Sequence, residues 1–84
     1  MPKVEIYSKM LCPYCTRAKM LLKELDVEFT EYKIFWNKKI FDEMVQRSNG
    51  GRTVPQIFID GQSIGGCDEL HSLHDTGKLM NLLK

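Results

Sequence analysis

The stretch Cys12-Pro13-Tyr14-Cys15 carries the most distinctive chemistry in this chain. On a helix, residues three positions apart share a face, so one sulfur can attack while the other waits a turn away. Proline suits the first helical position, where its missing N–H is not needed. Pro13 therefore puts Cys12 at or near the N-cap, where unpaired backbone N–H groups and the positive end of the helix dipole collect. Those groups favour a thiolate over a thiol, and the thiolate is the nucleophile. Lys9, just upstream, adds a second positive charge. Cys12 is expected to be the attacking sulfur. Cys15 opens the apolar stripe Cys15, Ala18, Leu22 and Leu25, with Leu21 beside it, so it is expected to face the core and act as the resolving thiol.

The same spacing also serves as half of a zinc site. A structural disulfide is a third reading, though so short a loop constrains the unfolded chain little. The flanks favour the redox pair. Val4-Glu5-Ile6-Tyr7 alternates like a strand, and a helical stripe follows the cysteines, whereas zinc knuckles usually sit on turns. His71 and His74 would complete a four-ligand zinc set with Cys12 and Cys15 on paper. Helical histidines are more often surface residues, and no metal is expected.

A length of 84 residues predicts one domain spanning 1–84. With 43% apolar and 27% charged residues, the composition is that of an ordinary globular protein with a feasible core. A net charge of +1 makes no case for a nucleic-acid or membrane partner. No apolar run is long enough to span a bilayer. Met1-Pro2-Lys3-Val4 leads directly into the first strand, leaving no room for a signal peptide. Three cysteines are an odd count for a secreted disulfide framework, so a cytoplasmic monomer is expected.

The elements that must position the cysteines follow from periodicity and breakers. Lys3 to Ser8 is predicted as the first strand and Pro13 to about Leu25 as the first helix, with Asp26 as its stop. Val27 to Ile34 is predicted as a second strand, which makes a parallel pair with a right-handed crossover. Asn37 is predicted to cap a second helix whose apolar face is Ile40, Phe41, Met44 and Val45, ended by Asn49-Gly50-Gly51. Gln56 to Ile59 is the third strand, Asp60-Gly61 a hairpin turn, and Gln62 to Ile64 the last strand. Asp68 to about Asp75 is the third helix. After Thr76-Gly77, Leu79, Met80, Leu82 and Leu83 are expected to pack back on the sheet in a short last turn. The order β-α-β-α-β-β-α predicts an α/β fold with a mixed four-stranded sheet covered by helices.

Two further clusters have both structural and functional readings. Thr53-Val54-Pro55 is either a strand entry with an ordinary trans proline, or a segment that holds Val54 extended so that its backbone pairs with a peptide-like substrate. Gly65-Gly66-Cys67-Asp68 is either a helix capped by Asp68 with Cys67 as buried filler, or a site where glycines admit a ligand to the backbone. In the second case the N–H groups of Cys67 and Asp68 would face a carboxylate, and Asp68 an ammonium group.

Taken together, Lys9-x-x-Cys12-Pro13-Tyr14-Cys15, Arg52-Thr53-Val54-Pro55 and Gly65-Gly66-Cys67-Asp68-Glu69-Leu70 closely resemble the dithiol glutaredoxins, over nearly the whole chain. Thioredoxin proper carries Cys-Gly-Pro-Cys and lacks the Gly-Gly-x-Asp cluster. Monothiol relatives have Ser where Cys15 stands. The resemblance implies a thioredoxin fold with Pro55 in the cis form near the cysteines. It implies glutathione lying across the site as a short extended peptide. Lys9 and Arg52, with Arg47 as the alternative to Arg52, would meet its glycine carboxylate, and Val54 its cysteine backbone. Tyr14 and Thr53 would line the groove. Gly66, the Cys67 N–H and Asp68 would receive the γ-glutamyl end. The family often has Asp where Glu69 stands.

The activity so implied is a glutathione-dependent thiol–disulfide oxidoreductase with no tightly bound cofactor. Its partners would be glutathione and disulfide-containing or glutathionylated proteins, with ribonucleotide reductase as a family expectation. Glutaredoxin potentials of about −200 to −230 mV lie near the cytosolic glutathione poise, so the reaction can run either way. The competing readings are a dimer bridged by an iron–sulfur cluster through Cys12 and glutathione, and a reductase served by a flavoprotein.

Overall fold

A computed structural model describes residues 2–84. The N-terminal expectation begins at Met1, which lies outside the described residues. The elements are β1 (Val4–Ser8), α1 (Pro13–Glu24), β2 (Thr30–Lys33), α2 (Lys38–Arg47), β3 (Gln56–Ile59), β4 (Gln62–Gly65), α3 (Cys67–Asp75) and α4 (Lys78–Leu82).

The sheet runs β2-β1-β3-β4. β1 pairs parallel with β2 and antiparallel with β3, and β3 pairs antiparallel with β4. The two central strands are buried along their whole length. Strand side chains alternate between faces, and here the alternation divides the core in two. Val4, Ile6, Ile57 and Ile59 join Ala18, Leu21 and Leu22 of α1, Cys67 and Leu70 of α3, and Leu79 of α4. Tyr7 and Phe58 face the other way and pack with Met44 of α2. Each fully buried apolar side chain of this size contributes about 1.5–3 kcal/mol. The sheet with helices on both faces is the thioredoxin fold expected above.

The polar side chains of β1 are buried and paired rather than exposed. Arg47 bonds Glu5 at 2.9 Å and the Tyr7 hydroxyl at 2.7 Å, and its guanidinium lies 4.2 Å from the centre of the Phe58 ring. The Arg47 hydrogen bond holds the Glu5 carboxyl below the ordinary range against the opposing cost of burial.

Several boundaries differ from the sequence expectation, each for a local reason. β2 starts at Thr30 rather than Val27 because α1 ends in a Schellman motif. Asp26 takes φ +55°, its N–H bonds Lys23 O, and the Val27 N–H bonds Leu22 O. Val27 and Phe29 then pack on the core as loop residues. α2 ends the same way, with Asn49 at φ +59°. Asp60 and Gly61, at φ +50° and +82°, make the two-residue hairpin turn.

α3 begins one residue earlier than expected, with Gly66 as its N-cap. Asp68 is therefore not the cap. Instead the Glu69 carboxylate folds back to accept the Gly66 N–H at 2.6 Å. The last turn is a five-residue helix in which Leu79 is buried while Met80 and Leu82 face solvent, and Leu83, its C-cap, is half-buried. His71 and His74 lie at the edge of the surface rather than fully on it. Both are half-buried, and among the described residues His71 Nε2 has no hydrogen-bond partner. Among the described residues, no helix is long and apolar enough to cross a membrane.

Candidate active site

The turn after β1 delivers the cysteines to one end of the sheet. Leu11 takes φ +56°, and Cys12 follows in extended conformation as the N-cap of α1, with Pro13 at the first helical position. The Cys12 side chain fills the capping role that a hydroxyl or carboxylate usually fills. Its Sγ accepts the Cys15 N–H at 3.2 Å. Its own thiol reaches the Val54 carbonyl oxygen at 3.9 Å, so the segment before β3 faces it. The start of α1 thus directs a backbone N–H at the Cys12 sulfur.

Cys15 sits one turn on and points into the protein, with 1% of its surface exposed against 7% for Cys12. Burial, reinforced by the neighbouring Cys12 sulfur, pushes the Cys15 thiol up to about 12. The two sulfurs are therefore unequal, in the sense the helix stripe predicts. All three cysteines are free thiols. Cys67 is packed in the core, and burial raises its thiol too.

A groove of about 510 Å³ opens beside Cys12. Lys9, Tyr14, Arg52, Thr53 and Val54 all line it, together with Leu11, Ile34 and Phe41. The structure thus gathers residues from the β1–α1 loop and the segment before β3, which are far apart in sequence. Arg52 lies with its guanidinium 5.3 Å from the centre of the Phe41 ring. Arg47 is held on the sheet by Glu5 and Tyr7 and does not line the groove. The Val54–Pro55 peptide is cis. The Val54 N–H donates to no backbone carbonyl among the described residues.

The glycine cluster meets this segment from the other side. A Cβ built on Gly66 would lie 3.1 Å from the Pro55 carbonyl oxygen, so the start of α3 packs close to Pro55. The Cys67 and Asp68 amides, in the first turn of α3, have no protein acceptor among the described residues. Asp68 is exposed and lines a separate depression with Ile64, Glu69 and Leu73. Among the described residues, no three His, Cys, Asp or Glu side chains gather as a metal site.

Ile34 and Phe41 wall the groove, whereas the sequence marks Ile34 only as the end of a strand and Phe41 only as part of the apolar face of α2. Their amphipathic spacing does not distinguish a buried face from a groove wall.

The family model described as Glutaredoxin matches residues 4–64. Glutaredoxin 3 of Escherichia coli K12 is 55% identical over 84 residues, covering 100% of both chains. A glutaredoxin of Pseudomonas aeruginosa is 45% identical over 83 residues, covering 99% of this chain and 98% of the relative. Among solved structures, Brucella melitensis glutaredoxin superposes with a TM-score of 0.86 at 46% identity, covering 100% of this chain and 90% of that one. A buckwheat glutaredoxin–glutathione complex superposes with a TM-score of 0.88 at 34% identity, covering 98% and 76%. With its Cys12/Cys15 pair at the start of α1, this chain belongs to the glutaredoxin family of thiol–disulfide oxidoreductases.

Proposed function

We propose that this glutaredoxin uses glutathione to reduce protein disulfides and protein–glutathione mixed disulfides, with Cys12 as nucleophile and Cys15 as resolving thiol. The observation that carries the reading is the Cys12 sulfur, capped by the Cys15 amide and opening onto a groove lined by Lys9, Arg52, Thr53 and Val54. The buckwheat relative in complex with glutathione supports it.

In the monothiol route, the Cys12 thiolate attacks the glutathione sulfur of a mixed disulfide. A new sulfur–sulfur bond forms, the protein thiolate leaves and takes a proton. A second glutathione thiolate then attacks the glutathione sulfur on Cys12, releasing oxidised glutathione and restoring the thiolate. In the dithiol route, Cys12 attacks a protein disulfide and forms a mixed disulfide with it. Cys15 loses its proton and attacks Cys12 Sγ, releasing the second substrate thiol and closing the Cys12–Cys15 disulfide. Two glutathione molecules reopen it.

Glutathione binds as an added extended segment. Lys9 and Arg52 hold its glycine carboxylate, and the Val54 backbone pairs with its cysteine. Tyr14 and Thr53 wall the groove beside Pro55. Gly66 leaves room for its γ-glutamyl end at the Cys67 N–H and Asp68. Turnover of hydroxyethyl disulfide is the test, supplied either by glutathione with glutathione reductase and NADPH, or by a flavoprotein thioredoxin reductase. Turnover with glutathione alone is expected. Turnover only with the flavoprotein would overturn the reading.

A further inference from the structure

Three grooves meet at Ile34. The first is the groove at Cys12. The second, of about 300 Å³, is walled by Lys9, Ile34, Phe35 and Trp36. The third, of about 440 Å³, is walled by Ile34, Trp36, Asn37, Lys38 and Phe41. Lys9 is common to the first and second, Phe41 to the first and third, and Trp36 to the second and third. The surface is therefore continuous from the Cys12 sulfur to the Trp36 ring.

Trp36 is an odd residue to find there. It is 91% exposed, and Phe35 beside it is 52% exposed, the two rings meeting edge-on at 5.1 Å. Trp36 takes φ +59°, in a turn closed by the Asn37 N–H on Ile34 O at 2.9 Å. Glycine or asparagine occupies the third position of such a turn at little cost, and a bulky aromatic does so rarely. The core does not hold this ring, because almost all of it faces water. A strained backbone that presents an apolar ring beside a reacting centre breaks local rules with no packing gain, and such departures cluster at functional sites.

The charge pattern narrows what the surface receives. The basic side chains along the three grooves are Lys9, Lys38 and Arg52, and no Asp or Glu lines them among the described residues. Lys38 already bonds Asp42 at 2.7 Å. Lys9 and Arg52 are in no ion pair among the described residues.

We propose that Trp36, with the ledge formed by Ile34, Phe35 and Phe41, docks the polypeptide flanking the disulfide of a protein substrate, and selects segments carrying an aromatic or large aliphatic side chain and a carboxylate near the cysteine. This rests on the reading of Cys12 as the attacking sulfur. A disulfide brought to that atom must lead its chain out over the adjoining surface. A small apolar ledge with one prominent aromatic is the common form of a binding hot spot. In the dithiol route the protein enters before glutathione, so Lys9 and Arg52 are open to a substrate carboxylate.

The test uses the whole chain and two short peptides, each closed by its own disulfide, one flanked by Phe and Glu and the other by Ser and Gly. Trp36→Gly removes the ring and suits the left-handed turn. It is expected to lower kcat/KM for the Phe/Glu peptide about tenfold, through KM, while hydroxyethyl disulfide turnover is unchanged. Trp36 is the single tryptophan of the chain, so binding is also read directly. In the unreactive Cys12→Ser/Cys15→Ser protein, its emission should move to the blue with the Phe/Glu peptide and not with the Ser/Gly peptide. Equal turnover of the two peptides, an equal loss on hydroxyethyl disulfide, or an unmoved emission would overturn the proposal. A wild-type protein inactive on hydroxyethyl disulfide with glutathione would instead sink the underlying reading, leaving the emission to judge the docking surface.

Discussion

The Cys15 amide donates to the Cys12 sulfur across 3.2 Å, while the Cys15 sulfur is turned into the core. One residue thus directs a backbone N–H at the first sulfur and, one turn inward, supplies a second sulfur whose thiol is pushed up by burial. The backbone geometry of a helix start produces both effects, because N–H groups point out of the end while the side chain of the third residue follows the buried stripe.

That asymmetry predicts different losses for the two serine variants. Cys12→Ser should abolish both routes, since no other sulfur opens onto the groove. Cys15→Ser should spare deglutathionylation and lose protein-disulfide reduction, because only the second route needs a resolving thiol. Assays with a glutathionylated peptide and a peptide disulfide separate the two. Equal loss of both activities in Cys15→Ser would contradict the division of roles.

Alkylation should follow the same order. With its thiol pushed up to about 12, Cys15 holds a negligible thiolate fraction at neutral pH, and buried Cys67 is also raised. Iodoacetamide at pH 7 should therefore label Cys12 first, as read by mass spectrometry of proteolytic fragments. The stability consequence has a definite sign. Cys15 is raised from 9.0 and Tyr7 from 10.0, each to about 12, chiefly by desolvation. Between those values the unfolded chain has released protons that the folded chain retains, so folding stability falls as pH rises. Urea midpoints of the reduced protein should decline steadily from about pH 9 towards pH 12. A flat profile across that window would show that these groups ionise normally in the folded state.

Much of this site was legible in the sequence, and what was not has a physical explanation. Proline at a helix start, an apolar stripe and the Asp60-Gly61 turn are local signals, and each produced its element where expected. The sequence overextends β2 because Val27 and Phe29 are apolar in alternation yet pack half-buried as loop residues behind the Asp26 turn. The role of Arg47 was hidden because its partners Glu5 and Tyr7 lie about 40 residues away, and no spacing rule reaches that far. The left-handed turn at Trp36 was hidden for the opposite reason, since the residue that occupies it is not one that signals a turn.

The two arginines should separate cleanly on mutation. Arg52→Ala should raise KM for glutathione about tenfold, the scale of losing one charge-assisted contact, with little change in stability. Arg47→Met should do the reverse. It leaves the buried Glu5 carboxylate without its main partner, at a cost of about 3 kcal/mol, near the low end for a buried pair because Arg47 is itself partly open to water. The cost should depend on pH. Glu5 titrates below its ordinary 4.5 mainly because of Arg47, so this contribution is present above that value and is lost as pH falls through the folded-state value. The stability gap between Arg47→Met and wild type should narrow in acid. A gap that persists unchanged at pH 3 would mean packing against Phe58, rather than the ion pair, is what Arg47 provides.

The start of α3 offers a test by double-mutant cycle. Gly65 takes φ +100°, and a Cβ there would lie 2.7 Å from Glu69 Cγ and Oε1, the same carboxylate that accepts the Gly66 N–H. Gly65→Ala should therefore destabilise by more than about 1 kcal/mol, combining an unfavourable backbone with a steric conflict. Glu69→Ala should cost about 1 kcal/mol by freeing a capped N–H. The two changes share one cause, because clearing the Glu69 side chain removes the conflict that the new methyl group creates. The double variant should be less destabilised than the sum of the singles by at least about 0.5 kcal/mol, measured by urea unfolding. Strict additivity would show that Gly65 is constrained by its backbone angle alone and that the Glu69 carboxylate moves aside without loss.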